Sequence, residues 1–239
     1  MPEPSAAAMR QAQNEIAVGK QERLAFKEVP EEELKAQKRR RLDREHYAIT
    51  QEYRNFYVLD TETNGFPIHG GTDEPIQVVA LLYRYGEIVR EYQEYFLPEV
   101  EVTDQAQEVN GWTKESLKER GAKKFSLGAS KILTNFLNEF PKLKIVAHNV
   151  EYDRDDVLEK AYERVGNKEG MPSSDRWECT IEISRNRPDL VPKNKSRSLD
   201  SLLKCLKLKP RTKGEFHDAH LDCVKAAEVY EALKAPKKK

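Results

Sequence analysis

The fold is decided by the stretch Asn55-Phe56-Tyr57-Val58-Leu59-Asp60-Thr61-Glu62-Thr63-Asn64-Gly65. An apolar run of strand length ends here in two acids, and the chain then turns at Asn64-Gly65. Since successive strand residues point to opposite faces, Asp60 and Glu62 share one face. Two acids at the end of a buried strand need a cation beside them, and hard divalent metals take oxygen ligands. The simpler alternative is a strand end that reaches solvent, where acids are common.

Length and composition limit the kinds of protein this can be. The chain has 239 residues, of which 38% are hydrophobic and 34% charged, which predicts one domain with additional exposed charged segments. Its 41 basic and 41 acidic residues give a formal net charge of +0, so any electrostatic field must come from uneven distribution. Three scattered cysteines without a C-x-x-C pair favour neither a disulfide framework nor a zinc module. With no long apolar run and no signal-like start, we expect an intracellular protein without a membrane partner.

Residues 1–53 differ from the rest of the chain because they are rich in charge and poor in large apolar side chains. We predict a charged arm there, partly helical or disordered, followed by one domain over residues 54–235 and a basic tail at 236–239. The basic cluster at residues 38–41 is consistent with a solvated charge run, a nuclear localisation signal or a nucleic-acid contact. The sequence therefore leaves open whether the protein is cytoplasmic or nuclear.

From residue 54 onward the pattern is that of an α/β domain. The predicted strands are apolar runs bounded by turn residues, at about 55–61, 76–85, 88–97, 143–147 and 177–180. The predicted helices show apolar residues at helical spacing or capping signals, at about 103–120 (two short helices), 126–140, 151–165, 198–203 and 218–233. A hairpin followed by alternating helices and strands predicts a mixed five-stranded sheet flanked by helices.

Two further polar clusters follow the first acidic pair. The first is His148-Asn149-Val150-Glu151-Tyr152-Asp153, at a strand-to-helix junction where ligand sites of open α/β sheets gather. The second is His217-Asp218-Ala219-His220-Leu221-Asp222. Within one helix, His217 and Asp222 would lie about 140° apart. We therefore predict that His217 lies on the loop before the last helix.

In this order, Asp60-x-Glu62, His148-Asn149-x-x-x-Asp153 and His217-x-Ala219-x-x-Asp222 resemble the three motifs of the DEDDh (DnaQ-like) family of 3′–5′ exonucleases. The resemblance spans about residues 54–235 and implies an RNase H-like fold. Residues 217–233 are similar to the proofreading epsilon subunits of bacterial replicative DNA polymerases. Two features depart from the family pattern: Asn110 stands where the family often has histidine, and the N-terminal arm is not part of the family core.

The resemblance implies a metal-dependent site. Two Mg²⁺ or Mn²⁺ ions would be held by four carboxylates, those of Asp60, Glu62, Asp153 and Asp222. Ions about 3.5–4 Å apart stabilise charge on both the attacking and the leaving oxygen of a phosphodiester. His217 would be the general base that takes a proton from the attacking water.

The resemblance also implies contacts to the substrate, from Thr61, Thr63, Gly65, Phe66, His148 and Asn149. Phe66 could stack on the terminal base, although a plain loop aromatic is an equal alternative. Residues 185–213 contain ten lysines or arginines and two acids, a local excess of +8, which predicts a surface that faces phosphates. A solvated loop is the alternative for this segment.

Other acids and histidines have simpler interpretations. Asp155 and Asp156 lie near the start of a helix, where acids suit the helix dipole, so we predict that they are structural or exposed. His220 with Cys223 could suggest zinc, but no second ligand pair stands nearby in the sequence. We therefore do not predict a zinc site.

The predicted function is removal of mononucleotides from single-stranded 3′ ends, with DNA favoured as in proofreading and a polymerase or replication protein as a possible partner. An exoribonuclease with the same chemistry is the first alternative. A second is a non-catalytic module that binds nucleic acid or tethers a polymerase, against which the five intact motif residues speak. A third is an endonuclease or integrase, which would not require His217 five residues before Asp222.

Overall fold

The computed structural model describes residues 26–28, 54–212 and 214–235. Its sheet has six strands in the order β1-β4-β3-β2-β5-β6. The strands are β1 (Phe26–Glu28), β2 (Phe56–Thr63), β3 (Pro75–Arg84), β4 (Glu87–Tyr95), β5 (Lys144–Ala147) and β6 (Trp177–Cys179). Strands β1 to β4 pair antiparallel with their neighbours, whereas β2–β5 and β5–β6 are parallel. The predicted mixed sheet is thus confirmed, with its five strands at the predicted places.

Helices lie on both faces of this sheet. They are α1 (Asp104–Asn110), α2 (Lys114–Glu119), α3 (Leu127–Asn138), α4 (Lys160–Arg164), α5 (Thr180–Arg185), α6 (Leu199–Cys205) and α7 (Ala219–Lys234). Ser126 caps α3 by accepting a hydrogen bond from the backbone N–H of Ala129, as its sequence predicts. In the described part of the chain, no helix combines the length and the apolar character that crossing a membrane requires.

Strand β2 lies at the centre because both of its faces are apolar. Tyr57 and Leu59 pack into the core under α3, while Phe56 and Val58 pack into the core under α6 and α7. Since side chains alternate, Asp60 continues the Phe56–Val58 face and emerges toward α7. The strand therefore delivers its acids to the side of the sheet that carries the last helix.

Three features differ from the sequence predictions. Helix α5 follows β6 at Thr180–Arg185, where no helix was predicted. The three-residue strand β1 extends the sheet at the β4 edge, whereas no strand was predicted in the arm. The predicted helix over 151–165 is a π-helix at Glu151–Glu159 that continues as α4. Its apolar spacing is that of an ordinary α-helix, and no local pattern indicates the wider turn. The rest of the arm, its basic cluster and the tail at 236–239 lie outside the described residues, and the domain boundaries stay predictions.

Candidate active site

The first acidic pair lies at the end of β2, in the wall of a cleft of about 480 Å³. Glu62 is only 7% exposed, and its strand passes between β3 and β5. The loop that follows β2 is held by Asn64, whose side-chain oxygen accepts hydrogen bonds from the backbone N–H groups of Thr72 and Glu74. The acids are thus fixed from both ends, by the sheet and by a bonded loop.

Asp153 reaches the same cleft from the π-helix. Its Oδ1 accepts hydrogen bonds from the backbone N–H of Thr61 at 3.1 Å and from the Thr61 hydroxyl at 2.8 Å. The side chain of Asp153 is 4% exposed. These two bonds tie the third carboxylate to the residue between the first two, so three acids are positioned by one strand.

Asp222 lies in the first turn of α7, and His217 precedes that helix as predicted. Asp218 caps α7 by accepting hydrogen bonds from the backbone N–H groups of His220 and Leu221. The backbone N–H of His217 donates to the carbonyl of Val109 at 2.8 Å. His217 Nδ1 is 3.4 Å from Asp222 Oδ2. Glu62, His217 and Asp222 each offer a ligand atom, all within 4.8 Å of one another.

The acids of the site have raised pKa values, because they lie close together and away from water. Burial, followed by repulsion from neighbouring acids, raises the pKa of Glu62 to about 8 and that of Asp60 well above its ordinary value. Burial raises the pKa of Asp153 to about 7 and that of Asp222 to about 6. Without a bound cation, the site therefore holds protons that exposed carboxylates would have released.

All eleven predicted site residues line this one cleft. The eleven are Asp60, Thr61, Glu62, Thr63, Gly65, Phe66, His148, Asn149, Asp153, His217 and Asp222. They come from three regions of the sequence that the fold brings together at one end of the sheet. Their individual roles are not fixed by this proximity.

The mouth of the cleft is formed partly by the Gly65-Phe66 turn. Gly65 has φ of +111°, and a Cβ there would lie 2.3 Å from the Thr103 hydroxyl oxygen, so the position requires glycine. Phe66 is 52% exposed, and its ring lies 5.1 Å from the ring of Tyr152. The Tyr152 and Thr63 hydroxyls are 2.8 Å apart. A rigid turn thus presents one aromatic face to solvent beside the acids.

His148 lies in the cleft wall as a neutral group. Its Nδ1 is 2.8 Å from the Thr180 hydroxyl oxygen. Burial lowers its pKa to about 4, so the ring is uncharged at neutral pH. His148 can therefore offer hydrogen bonds at this site but not a positive charge.

Three further residues at the site were not among the predicted site residues, although Asn110 was noted as a departure from the family pattern. Arg211, counted only among the basic residues of 185–213, lies inside the cleft and contacts Asp222. Asn110 lines the cleft, and its side-chain N–H donates to the carbonyl of Thr63 at 3.2 Å. The third is Gln77, whose available signal was its polar side chain within the apolar run of β3.

Gln77 connects the sheet to the start of α7. Its Nε2 donates to Asp218 Oδ2 at 3.0 Å, and its Oε1 accepts from the backbone N–H of Ala219 at 3.2 Å. Gln77 is fully buried. This amide therefore fixes the N-terminus of the helix that carries Asp222, between His217 and that acid.

His220 and Cys223, the pair that could suggest a zinc site, have different partners. The Cys223 thiol is buried against the carbonyls of Val58 and Val79, while His220 Nε2 is 3.4 Å from Glu91 Oε2. The acids at 155 and 156 are both ion-paired, Asp155 with Arg154 and Asp156 with Lys160. The structure thus gives all four side chains local partners.

The cleft suits a hard divalent cation. Its ligand atoms are predominantly carboxylate oxygens, and Asp222 Oδ1 is buried without a hydrogen-bond partner among the described residues. Bound cations would remove the repulsion that raises the carboxyl pKa values. The donor set therefore fits Mg²⁺ or Mn²⁺ better than a soft metal.

Comparison with known proteins gives a consistent relationship. The family model RNase_T, described as "Exonuclease", matches residues 57–230, nearly three quarters of the chain. "DNA polymerase III PolC-type" of Thermotoga petrophila is 32% identical over 107 residues, and that of Thermotoga maritima is 33% identical over 98. These matches cover 45% and 41% of this chain but only 7% of the length of either polymerase.

Two solved structures share the fold. The nuclease domain of 3′hExo, a DEDDh family member bound to rAMP, has a TM-score of 0.59 at 17% identity. Exonuclease X in complex with 5′ overhanging duplex DNA has a TM-score of 0.50 at 19% identity. Each alignment covers 74% of this chain and 90% of the other. Because the family model covers residues 57–230, this chain belongs to the RNase_T exonuclease family.

Proposed function

We propose that this chain is a 3′–5′ exonuclease that removes nucleoside monophosphates from single-stranded 3′ ends, with DNA as the preferred substrate. One observation carries the proposal: four acids and one histidine, from three distant parts of the sequence, line the same cleft. The spacing of His217 and Asp222 favours this reading over an endonuclease, which would not need that histidine. The five intact residues favour turnover over a binding module.

The cation sites are assigned by the chemistry of the donors. Asp60, Glu62, Asp153 and Asp222 would hold two Mg²⁺ or Mn²⁺ ions. When bound, such ions stabilise negative charge on the attacking and leaving oxygens of the phosphodiester. Asp153 is the best positioned of the four acids, since Thr61 donates two hydrogen bonds to one of its oxygens.

His217 is the proposed general base. Its side chain is 43% exposed, so the ring can meet a water molecule and a substrate that enter the cleft. Burial, and then the charge of Arg211, holds its pKa below the ordinary value, so the ring is neutral and able to accept a proton at neutral pH. Asp222 lies beside it and would stabilise the protonated ring.

The remaining cleft residues would bind the terminal nucleotide. A cleft of about 480 Å³ lies within the size range of small-ligand sites. The exposed ring of Phe66 would stack on a base without selecting its identity. Basic residues of the 185–213 segment would bind the strand, and five of its lysines are exposed: Lys193, Lys195, Lys204, Lys207 and Lys209.

DNA is proposed first because two relatives, at 32% and 33% identity, are DNA polymerases of the PolC type. The match covers only a small part of those polymerases, so a polymerase or replication partner for this chain is likewise a proposal. The 3′hExo structure contains rAMP, which keeps RNA as the second candidate. The 2′-hydroxyl is the group that would distinguish the two substrates.

The test is a time course on 5′-labelled single-stranded DNA and RNA of equal sequence, with Mg²⁺, Mn²⁺ or EDTA. We expect a ladder that shortens from the 3′ end, requires metal and is blocked by a 3′-phosphate. DNA should be degraded faster than RNA. An internal cut that appears before any ladder would refute the exonuclease proposal. Faster degradation of RNA than of DNA would make RNA the preferred substrate.

A further inference from the structure

Arg211 is a buried cation placed among the acids of the cleft. Its side chain is 9% exposed, and its Nη1 donates to Asp222 Oδ2 at 2.8 Å. On its other side, Nε and Nη2 lie 3.3 and 3.5 Å from the two carboxylate oxygens of Asp200. Among the described residues that line the cleft, Arg211 alone is a lysine or arginine.

The contact uses one of the two oxygens of a carboxylate that would bind a divalent cation. Asp222 Oδ2 is shared by Arg211 and, at 3.4 Å, by His217 Nδ1, whereas Oδ1 is buried without a described partner. A guanidinium bond to a carboxylate is among the stronger hydrogen bonds in proteins. The charge of Arg211 also lowers the pKa values of Asp60 and Asp222 against the effect of burial. Arg211 thus partly performs the electrostatic task of a metal ion.

Asp200 gives the arginine a second anchor outside the cluster of acids. It is half-exposed, with 40% of its side chain accessible, and it lies in the first turn of α6. If Nη1 leaves Asp222, the bonds to Asp200 can still hold the guanidinium at the cleft wall. Loss of the bond to Asp222 would therefore not leave the buried guanidinium without a partner, which would be energetically costly.

We propose that Arg211 competes with the divalent cation for the charge and the Oδ2 atom of Asp222, so that a cation that takes Oδ2 displaces Nη1 while Asp200 retains the guanidinium. The proposal rests on the proposed function, because it takes Asp222 as a metal ligand. It assigns to Arg211 the control of metal affinity. The freed Nη1 would then face the cleft and be able to bind a phosphate oxygen of the substrate.

The test is a Mn²⁺ titration of the full chain by calorimetry, without nucleic acid. Arg211→Met should bind Mn²⁺ about 10-fold more tightly than wild type, since it removes a charge-assisted hydrogen bond from a ligand. Lys209→Met is the matched control because it removes the same charge from an exposed position two residues away. It should change the affinity less than about 2-fold, as screened surface charges do.

Arg211→Lys guards against failure of the first variant to fold. It keeps the charge but cannot bridge two carboxylates, so its Mn²⁺ affinity should lie between those of wild type and Arg211→Met. Unchanged or weaker Mn²⁺ binding in Arg211→Met, or in Arg211→Lys where the Met variant does not fold, would overturn the proposal and make Arg211 a support for Asp222. An equal gain in Lys209→Met would also overturn it.

These outcomes are separable from those of the proposed function. Arg211→Met could bind Mn²⁺ more tightly while the wild-type protein degrades no nucleic acid. That result would refute the proposed nuclease activity but support competition between Arg211 and the cation. In an active enzyme, the same variant should also raise KM for the oligonucleotide, because the freed guanidinium is missing. An unchanged KM would remove the phosphate contact from the proposal.

Discussion

The candidate site has two halves that are built differently. The sheet half consists of Asp60, Glu62 and Asp153, which are held by β2 and by the Thr61 hydrogen bonds. The loop half consists of Arg211 and His217, which lie between α6 and α7. Asp153 is 4% exposed, whereas the His217 side chain is 43% exposed. Groups that would hold cations are rigid and buried, and groups that would move a proton or a charge are placed on a loop.

This contrast follows from what each half has to do. Cation ligands must stay close together despite their repulsion, which only a well-packed framework can enforce. A general base must meet water and substrate, so exposure is useful to it. The loop half is attached to the rest of the domain by the His217–Val109 backbone bond, and the Phe216 ring lies 3.0 Å from the position that a Cβ at Gly111 would take. The comparison predicts that changes in the two halves have different signatures.

The largest effect is expected in the sheet half. Asp60→Asn should lower the exonuclease rate by roughly 10⁴-fold or more, because metal-held charge stabilisation is worth several kcal/mol. Binding of a single strand, measured by fluorescence anisotropy in EDTA, should stay within about 3-fold of wild type because basic residues supply most of the affinity. Equal inactivity of wild type and variant on every 3′ end would instead support the binding module.

In the loop half, His217→Ala should lower the rate by roughly 10²–10⁴-fold, the range for a positioned acid–base group. Mn²⁺ affinity should stay nearly unchanged, because carboxylates hold the ions. At saturating metal, the wild-type rate should rise with pH as His217 loses its proton, and this limb should flatten in the variant. His220→Ala is the control and should be mild; a larger loss there than at His217 would reverse the assignment.

Metal removal should expose the repulsion among the acids of the sheet half and Asp222. The folded-state pKa values of Glu62, Asp153 and Asp222 are about 8, 7 and 6, above those of the unfolded chain, so the folded state binds more protons between about pH 4 and 8. In EDTA, the Tm should therefore fall as pH rises through this range. Mn²⁺ at about 100 times its Kd should raise the Tm at pH 8 by roughly 5–10 °C. A metal effect that is larger at pH 5 than at pH 8 would contradict the assignment of ionised ligands.

The smallest effects are expected for residues that hold each half in place, Thr61 for the sheet half and Phe216 for the loop half. Thr61→Val removes a buried donor to Asp153 and should lower the Tm in EDTA by roughly 3–8 °C. Phe216→Ala removes a side chain that is 57% exposed, so it should lower the Tm by less than about 2 °C. The Phe216 variant should instead reduce kcat a few-fold by loosening the His217 loop. Equal losses of Tm in the two variants would remove the distinction between rigid and loop-held halves.

Much of this arrangement was predictable because its signals are local. The continuous apolar run from Phe56 to Leu59 predicts a buried strand, and the two acids that follow predict one shared face. The His217–Asp222 spacing favours a position for His217 on the loop before the last helix. In each case a few neighbouring residues carry the information.

Other features depend on contacts between distant residues. Gln77 and Asp218 are 141 positions apart, and no local pattern joins them. Arg211 is one of ten basic residues in its segment, and only the fold selects it for the cleft. Strand β1 is held by backbone pairing with β4, for which the side chains of Phe26–Glu28 give no alternating signal.

The π-helix at Glu151–Glu159 makes the site sensitive to chain length. Each turn of a π-helix accommodates about one residue more than an α-helix, where one residue rotates the side chains by about 100°. Deleting Asp156 would let the segment close to an α-helix, but either Asp153 would turn away from Thr61 or Val157 would leave the core. Asp156→Ala, which keeps the length, should retain the Tm within about 1 °C, while the deletion should lower it by several degrees. This segment should therefore tolerate substitutions better than insertions or deletions.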